Sequence, residues 1–285
     1  MGKRQEHRPQ PAQAPRDAYA MGRTEHEERR LQRQAAIHAG HTRRLLTAAG
    51  IGPGMTVLDL GSGAGDLALL AAEVVGPTGR VLGVDMNPQI LETARRRAAG
   101  HANVTFAAGD LRDFVPDGAV DALVGRLILC HLPDPAAVLR RLVPHLRPAG
   151  VAAFYDLDFT SPRLAHPPSP LADRVYDWMK TALASAGVNI YAGTRMHQIF
   201  LDAGLAAPRM DLCSLIGGSP AFIEELTAYE ADTVRTLLPL LLKGGIATEQ
   251  EVEIETLAAR YRDELVRLGS VVCCPLFVGA WAHPA

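Results

Sequence analysis

Short hydrophobic runs separated by amphipathic stretches form the main pattern of the first half of the chain. Five runs have the length and bounding residues of buried strands, and the stretches between them have helical spacing. The predicted strands are Met55–Leu60, Val81–Val84, Val104–Ala107, Asp121–Gly125 and Val151–Asp156. Strands that alternate with helices in this way predict a parallel sheet with helices on both faces.

Capping signals mark the beginnings of the helices around these strands. Asn87 and Asp134 each precede a proline, a combination typical of a helix N-cap and first turn. Thr24 and Glu27 fit a capping box that begins a helix ahead of the first strand. The first predicted helix ends near Ala49, and the second runs over Ala64–Val75. The third begins at Pro88, and the fourth extends from Asp134 to about Arg147.

The second half of the chain follows a different pattern. Pro162–Pro170 is rich in proline and predicts a loop. Helices are then predicted at Leu171–Ala186, Thr194–Ala203, Pro220–Leu242 and Thr248–Leu268, and strands at Arg209–Ile216 and Val271–Trp281. These two strands would bring the number of strands in the sheet to seven. The helical segments are too long to be simple connections, so we expect them, with the first helix, to cover the C-terminal edge of the sheet.

Composition narrows the classes of function. The 285 residues are 48% hydrophobic and 21% charged, and the net charge of −2 offers no basic surface for nucleic acid or an anionic membrane. Residues 1–17 are polar and proline-rich, which predicts a flexible tail without a secretory signal. Four cysteines without paired spacing favour a reducing cytoplasm, and the ten histidines lack metal-ligand spacing.

A glycine-rich turn follows the first predicted strand. Its glycines are Gly61, Gly63 and Gly65, whereas a dinucleotide fingerprint would place the third glycine where Asp66 stands. Acidic residues Asp59 and Asp66 flank the turn, which suits a cationic ligand better than a diphosphate. Neither a phosphate-binding loop nor the nucleophile elbow of a serine hydrolase is present.

Two further carboxylates lie at the ends of the next strands. Asp85 follows the second strand, where a carboxylate can accept hydrogen bonds from both hydroxyls of a ribose. Gly109 and Asp110 follow the third strand, where a carboxylate can accept from an adenine amino group. Together with the glycine-rich turn, these residues predict a site for a nucleoside without a pyrophosphate.

Four segments in register carry a family resemblance over residues 55–157. VLDLGSGAGD, VLGVDMN, AAGDL and DALVGRLILCHLPDPAAVLRRLVPHLRPAG resemble the successive motifs of class I S-adenosylmethionine-dependent methyltransferases. The resemblance implies a Rossmann-like fold with a seven-stranded, mostly parallel sheet, helices on both faces and a helical roof. It also implies S-adenosyl-L-methionine as the cofactor.

The resemblance places the parts of the cofactor along the motifs. The methionine part would lie over Gly61–Gly63 and the ribose on Asp85, whereas Met86 and Leu111 would enclose the adenine. For Arg126 only the position is carried over, because the family uses backbone there. The predicted cofactor-binding residues are Tyr19, Asp59, Gly61, Ser62, Gly63, Asp85, Met86, Gly109, Asp110, Leu111 and Arg126.

A closer resemblance extends over the whole chain. Tyr19, the GRLIL segment, the proline-rich loop and PLFVGAWA are similar to actinobacterial small-molecule methyltransferases of secondary metabolism. Some of these methylate indole C3 of tryptophan-containing cyclic dipeptides and close a pyrroloindoline. The expected division is a tail (1–17), a helical lid (18–50), a cofactor-binding core (51–160), a substrate cap (161–208) and C-terminal strands with a helical insertion (209–285).

Several side chains are candidates for catalysis or acceptor binding. Asp156 and Asp158 end the fifth strand and His131 follows the fourth, so each could accept a proton or a hydrogen bond from the acceptor. Ordinary alternatives are a loop cap or an ion pair with Arg163 for the aspartates and a polar helix start for His131. Predicted acceptor-binding residues are Tyr176, Trp178 and Tyr191, and core packing is the alternative for Tyr176 and Trp178.

Other functions remain open at this point. An O- or N-methyltransferase of another secondary metabolite, a cyclase that retains the cofactor, and a non-enzymatic S-adenosylmethionine-binding module would share the same motifs. The expected partner is a small-molecule methyl acceptor, with no nucleic acid, no membrane and no metal, and the protein is expected to be a monomer or homodimer.

Overall fold

The structure is a computed structural model that describes residues 25–285. The predicted tail, Tyr19 and Thr24 lie outside the described residues, so the capping box of the first helix stays a prediction. That helix, α1, begins at Glu25 and ends at Ala48.

A seven-stranded sheet forms the centre of the protein, as predicted. The strand order is β3-β2-β1-β4-β5-β10-β7. The first five strands are parallel to one another, whereas β10 is antiparallel to both β5 and β7. The strands are β1 Thr56–Leu60, β2 Arg80–Asp85, β3 Val104–Ala108, β4 Val120–Arg126, β5 Leu146–Asp158, β7 Arg209–Cys213 and β10 Leu276–Ala282.

Helices cover both faces of this sheet. Residues of α1 and α2 pack on one face, where Leu46, Val57 and Ala68 share a core. Residues of α4 and α6 pack on the other face with Leu123 and Phe154. The bounds of the helices are α2 Asp66–Val75, α3 Pro88–Arg97, α4 Pro135–Leu142, α5 Pro170–Ser185, α6 Ala192–Asp202, α7 Pro220–Lys243, α8 Glu249–Val252 and α9 Leu257–Leu268.

The predicted caps of two helices are confirmed. The side chain of Asn87 accepts the backbone N–H of Gln89 at 3.1 Å, and that of Asp134 accepts the N–H of Ala137 at 2.9 Å. Each cap satisfies a donor that the first helical turn leaves unpaired, and each is followed by a proline whose missing N–H is not needed there.

Several predicted boundaries in the second half are wrong. The helix expected over Thr248–Leu268 is divided, because Glu253 adopts a left-handed φ of 41° between α8 and α9. The helix expected to reach Arg147 ends at Leu142, and β5 begins at Leu146 and not at the predicted Val151.

Two predicted strands are also divided, because part of each joins a second, three-stranded sheet. That sheet has the order β6-β9-β8, with β6 Ala165–His166, β8 Ile216–Gly217 and β9 Val271–Cys273. Arg209–Ile216 therefore contributes to both sheets, and so does Val271–Trp281.

Helices α5, α7 and α9 pack together into a helical cluster. Its core buries Trp178, Val234 and Tyr261, and it includes Cys130 and Phe159, which lie just beyond the ends of β4 and β5. The cluster therefore covers the C-terminal edge of the sheet, as predicted. Among the helices of residues 25–285, none has both the length and the hydrophobicity needed to cross a membrane.

Candidate functional site

The chain changes direction across the sheet between β1 and β4. The connections from β1 lead outward through β2 to β3, whereas β4 lies on the other side of β1 and is followed by β5. In open α/β sheets, ligands bind at such a switch point, beyond the C-terminal ends of the strands. The glycine turn, defined as residues 61–65, begins at this point, directly after β1.

The three glycines of the turn all have a left-handed backbone, with φ of 67° at Gly61, 51° at Gly63 and 86° at Gly65. A Cβ on Gly61 would lie 2.4 Å from Ile128 Cδ1, and one on Gly65 would lie 2.9 Å from Phe106 Cζ. A Cβ on Gly63 would meet no atom within 4 Å. Packing therefore requires glycine at two positions, whereas Gly63 presents its backbone to open space.

Asp85 joins the end of β2 to the glycine turn. Its Oδ2 accepts the backbone N–H of Gly63 at 2.9 Å, and its Oδ1 accepts that of Asn87 at 2.9 Å. A carboxylate oxygen can accept more than one hydrogen bond, so the half-buried group keeps lone pairs for a ligand. The position is compatible with the predicted contact to ribose and adds a role in shaping the turn.

Asp59 is buried at 1% exposure, and neither carboxylate oxygen has a hydrogen-bond partner among residues 25–285. Burial raises the pKa of Asp59 well above its usual value, and Asp85 and Asp66 add to that rise, whereas Arg126 and the Ala68 N–H oppose it. The buried Ser62 hydroxyl also lacks a partner in this part of the chain. Such groups are costly to bury alone, so they indicate a polar, positively charged ligand.

These observations test whether S-adenosylmethionine fits the site. The cofactor has an ammonium group, a sulfonium and a ribose, and the residues present offer an unpaired buried carboxylate, an unpaired hydroxyl and the free lone pairs of Asp85. The exposed backbone of Gly63 allows close approach of a ligand. The residues fit, and Asp59, Ser62, Gly63 and Asp85 are those that would hold it.

The residues predicted to bind the adenine have different roles from one another in the structure. Met86 is 58% exposed at the end of β2 and is available to cover a flat ring. Leu111 is buried in the core with Leu123, so the side chain serves packing. The Asp110 carboxylate accepts hydrogen bonds from Arg112, at 2.9 Å for Nε to Oδ1. The Gly109 N–H donates to the Asp85 carbonyl at 3.0 Å and ties the ends of β2 and β3 together.

Arg126 contributes a positive charge that the sequence analysis did not assign. Burial lowers the pKa of this guanidinium, whereas Asp66 and Asp59 favour its charged form. Its Nη1 also lies 3.5 Å from Thr42 Oγ1 of α1. Arg126 therefore connects the end of β4 with α1 beside the glycine turn.

For Asp158, the structure favours the loop-cap alternative over catalysis. The side chain is fully buried, Oδ1 accepts the N–H of Thr160 at 2.9 Å, and Oδ2 accepts the N–H of Thr194 at 2.7 Å. The group therefore anchors the loop after β5 and the first turn of α6. The alternative pairing with Arg163 is wrong, because Arg163 pairs with Glu230.

Asp156 holds the turn that follows β4. It is fully buried, Oδ2 accepts the Cys130 N–H at 3.2 Å and Oδ1 accepts the Leu157 N–H at 2.9 Å. Burial raises its pKa to about 6, although hydrogen bonds from Cys130 oppose the rise. These contacts favour a positioning role for the 3₁₀ turn Leu129–His131, rather than contact with an acceptor.

His131 lies at the end of that 3₁₀ turn and is half-buried. Burial, with repulsion from Arg30 of α1, lowers the pKa of His131 to about 4. The imidazole is therefore neutral near pH 7 and able to accept a proton or a hydrogen bond. Its candidate role stays a prediction.

Two of the three predicted acceptor-binding aromatics belong to the core. Trp178 is 6% exposed within the helical cluster, and the Tyr176 hydroxyl donates to the Ser161 carbonyl at 2.5 Å. The Tyr176 ring also packs on Phe159, with centroids 4.9 Å apart. Tyr191 is 41% exposed ahead of α6 and is the only one of the three with an accessible side chain.

Sequence analysis missed two residues beside the turn. Ile128 follows β4 and packs on Gly61, and Arg97 of α3 donates to the Ala64 carbonyl at 2.8 Å and pairs with Asp66. Both contacts join segments that are distant in sequence, so no local pattern could reveal them. Residues 25–285 also contain no group of three side chains that could hold a metal ion.

Comparison with known proteins gives the family. A sequence family described as a methyltransferase domain matches residues 51–204, which is more than half of the chain. The matched segment contains the glycine turn, Asp85, Arg126 and His131.

Individual relatives match over shorter stretches. An arsenite methyltransferase from Halobacterium salinarum is 39% identical over 117 residues, which cover 40% of this chain and 30% of that protein. A trans-aconitate 2-methyltransferase from an Azoarcus species is 36% identical over 137 residues, covering 47% and 53%. The chain spans about half, or less, of the length of the curated relatives it matches.

Solved structures agree in fold. A phosphoethanolamine N-methyltransferase 2 from Haemonchus contortus has a TM-score of 0.57 at 17% identity and covers 90% of this chain and 58% of its own. A putative sarcosine dimethylglycine methyltransferase from Galdieria sulphuraria has a TM-score of 0.53 at 15% identity, covering 93% and 92%. These similarities confirm the Rossmann-like methyltransferase fold.

Proposed function

The chain belongs to the methyltransferase domain family, and from that premise we propose that it transfers the methyl group of S-adenosylmethionine to a small-molecule acceptor. The observation that carries the proposal is the unpaired, buried Asp59 carboxylate beside the glycine turn. A cationic ligand would satisfy this group, whereas a diphosphate close to it would be repelled. The spacing of the glycines also departs from a dinucleotide fingerprint, so NAD and FAD are poor candidates for this site.

The cofactor supplies an activated methyl group when it is bound. The side chains of the protein then bind and orient the cofactor and the acceptor, and they exclude water from the site. Asp85 fixes the ribose while it holds the turn through the Gly63 N–H. The helical cluster covers the edge of the sheet, and positioning of two reactants in such a closed site is worth roughly 7–11 kcal/mol. Neutral His131 is available to accept a hydrogen bond from the acceptor, whereas its pKa of about 4 makes it a weak base.

The same premise supports a division of labour along the chain. We assign cofactor binding to residues 51–160, a lid to the helical residues of the segment 18–50, and acceptor contact to the cap over 161–208. The C-terminal segment 209–285 completes the sheet and provides α7 and α9.

A finer candidate is C-methylation of indole C3 in a tryptophan-containing cyclic dipeptide. The whole-chain sequence resemblance supports it, as does the low pKa of His131, because a neutral imidazole can accept the N–H of an indole. The broader alternative is O- or N-methylation of another natural product, in which His131 would accept a hydrogen bond from the nucleophile.

The decisive experiment is incubation with S-adenosylmethionine labelled on the methyl group and a panel of indole, phenol and amine acceptors, read by mass. Formation of S-adenosylhomocysteine with a labelled product is expected. Cyclisation of the acceptor without label, without a mass increase and without S-adenosylhomocysteine would instead indicate a cofactor-retaining cyclase. Cofactor binding without any turnover across the panel would favour a binding module.

Calorimetry with S-adenosylhomocysteine tests the site itself. Asp85→Ala removes the ribose contact and loosens the glycine turn, so affinity should fall roughly tenfold or more, the equivalent of one charge-assisted hydrogen bond. Asp117→Ala, at an exposed position away from the turn, is the matched control and should bind like the wild type. Equal affinity of the two variants would contradict the placement of the cofactor.

A further inference from the structure

His38 of α1 is a buried imidazole with one unsatisfied nitrogen. The residue is 1% exposed, and its Nε2 has no hydrogen-bond partner among residues 25–285. Three aromatic rings surround it, with centroids at 4.4 Å for Phe277, 5.6 Å for Tyr155 and 6.3 Å for Tyr229. A polar atom that is buried without a partner is uncommon and indicates an unidentified partner or a functional role.

The single hydrogen bond of this imidazole determines its tautomer. Nδ1 lies 3.1 Å from the hydroxyl oxygen of Tyr155, and burial raises the pKa of Tyr155, so the phenol keeps its proton. If Tyr155 donates to Nδ1, its proton and the Nδ1 lone pair are both satisfied, and the Nε2–H is left over. If Nδ1 donates instead, both the Tyr155 proton and the Nε2 lone pair are left over. Because each buried unsatisfied group costs free energy, the first arrangement is favoured.

The imidazole also stays neutral. Burial, together with the charges of Arg126 and His41, lowers the pKa of His38 to about 3. The Nε2–H is therefore a neutral donor across the physiological pH range. Such a donor fits an acceptor atom with a lone pair, such as a carbonyl oxygen, and does not fit a cation.

His38 lies beside the proposed cofactor site. Its hydrogen-bond partner Tyr155 is paired in register with Arg126, the last residue of β4. Arg126 Nη1 lies 3.5 Å from Thr42, whose hydroxyl donates to the His38 carbonyl at 2.8 Å. The charge of Arg126 acts both on His38 and on Asp59. The same arginine thus connects the imidazole with the glycine turn.

We propose that the Nε2–H of His38 binds a carbonyl oxygen, or an equivalent neutral lone pair, of the methyl acceptor, with Tyr155 fixing the required tautomer. The inference rests on the proposed function and sharpens it, because it selects neutral acceptors that bear a carbonyl. His38 is a specificity-determining residue in this scheme, and Tyr155 is a positioning residue.

Imidazole ¹⁵N–¹H correlation spectra of histidine-labelled full-length protein test the tautomer directly. His38→Gln identifies the His38 signals by their loss, and His41→Gln, one turn further along α1, is the matched control. A protonated Nε2 and a free-base Nδ1 are expected, and Tyr155→Phe should mix the two tautomers. A wild-type His38 protonated at Nδ1 would overturn the assignment as a donor.

Titration with two probes then tests the ligand class, with and without S-adenosylhomocysteine. Piperazine-2,5-dione carries carbonyl oxygens, whereas indole offers only an N–H donor. A shift of His38 Nε2 with the dione but not with indole is expected, and the His41→Gln variant should respond like the wild type. A response to indole alone, or none to the dione in either state, would overturn the proposal and leave an enclosed water as the partner of Nε2. Calorimetry with S-adenosylhomocysteine, run in parallel, reports separately on the proposed function.

Discussion

Two regions of the molecule bury ionisable side chains, and the regions differ in whether these side chains have partners within the protein. In the helical cluster, Arg163 donates to both oxygens of Glu230 at 2.8 and 2.9 Å, and Tyr261 donates to the same carboxylate at 2.9 Å. At the glycine turn, the Asp59 carboxylate has no partner in the described part of the chain. The charges of Arg163 and Glu230 are therefore satisfied within the scaffold, although Arg163 Nε has no partner within residues 25–285, whereas the carboxylate of Asp59 is unpaired at both oxygens and indicates where a ligand binds.

Glu230→Gln gives the largest expected effect on stability. The substitution leaves Arg163 as a buried cation without its counter-charge, so the free energy of unfolding should fall by about 3–5 kcal/mol. Urea denaturation measures the change. Glu224→Gln breaks the exposed pair with Arg262 and is the matched control, with an expected loss below about 1 kcal/mol. Equal losses in both variants would mean that the cluster is not held by its buried pair.

The stability of the protein at acidic pH depends on the buried imidazole of His38. The pKa of His38 is lowered to about 3, below the ordinary 6.5, because the ring is buried. As the pH falls between these values, the unfolded chain takes up a proton that the folded protein does not. This one group therefore lowers stability by about 1.4 kcal/mol per pH unit.

His38→Gln removes that contribution, so unfolding free energies measured in urea from about pH 6.5 to pH 4 should fall less steeply than in the wild type. His197→Gln, at an exposed position of α6, should retain the wild-type slope. If His38→Gln leaves the slope unchanged, the imidazole is protonated in the folded state.

Asp59→Asn tests the unpaired carboxylate at the glycine turn. Loss of a charged hydrogen-bonding partner, worth about 1.5–3 kcal/mol, should weaken S-adenosylhomocysteine binding roughly tenfold to a hundredfold in calorimetry. The free energy of unfolding without ligand should change little, since neither oxygen of Asp59 accepts a hydrogen bond from residues 25–285 and removal of a buried charge offsets the lost attraction to Arg126. A loss of stability comparable to that of Glu230→Gln would show that the two regions do not differ.

Gly63→Ala tests the open space above the glycine turn. Its φ of 51° costs an alanine about 1–2 kcal/mol, but the new Cβ meets no protein atom within 4 Å. Cofactor affinity should fall more than stability does, because the methyl group occupies the space above the turn. Gly61→Ala adds the overlap with Ile128 and should be less stable than Gly63→Ala in the same denaturation series. The reverse order would contradict the packing at Gly61.

The sequence predicted what depends on local pattern. The hydrophobic period, the helix caps and the strand-end carboxylates predicted the seven strands. They also predicted that Asp59, Asp85 and the glycine turn lie at one edge of the sheet, since parallel strands end at the same edge. The boundaries failed where a single residue interrupts a regular pattern, as Glu253 does between α8 and α9. They failed also where one apolar stretch joins two sheets, as residues 271–281 do.

Contacts between distant segments were beyond prediction. Arg163 and Glu230 are 67 residues apart, and His38 and Tyr155 are 117 residues apart. Asp158 was a reasonable catalytic candidate from its position at the end of β5, but the backbone donors of Thr160 and Thr194 occupy it. The choice between catalytic and structural roles depends on such partners, which cannot be identified from the sequence alone.

The position of β10 between β5 and β7 has a consequence for biosynthesis. As the polypeptide leaves the ribosome, β5 emerges with one side unpaired, and β7 has no strand to join. Both must wait until α7, α8, α9 and finally β10 have been translated. Throughout that interval the nascent chain exposes an open strand edge, the kind of surface that chaperones shield against aggregation.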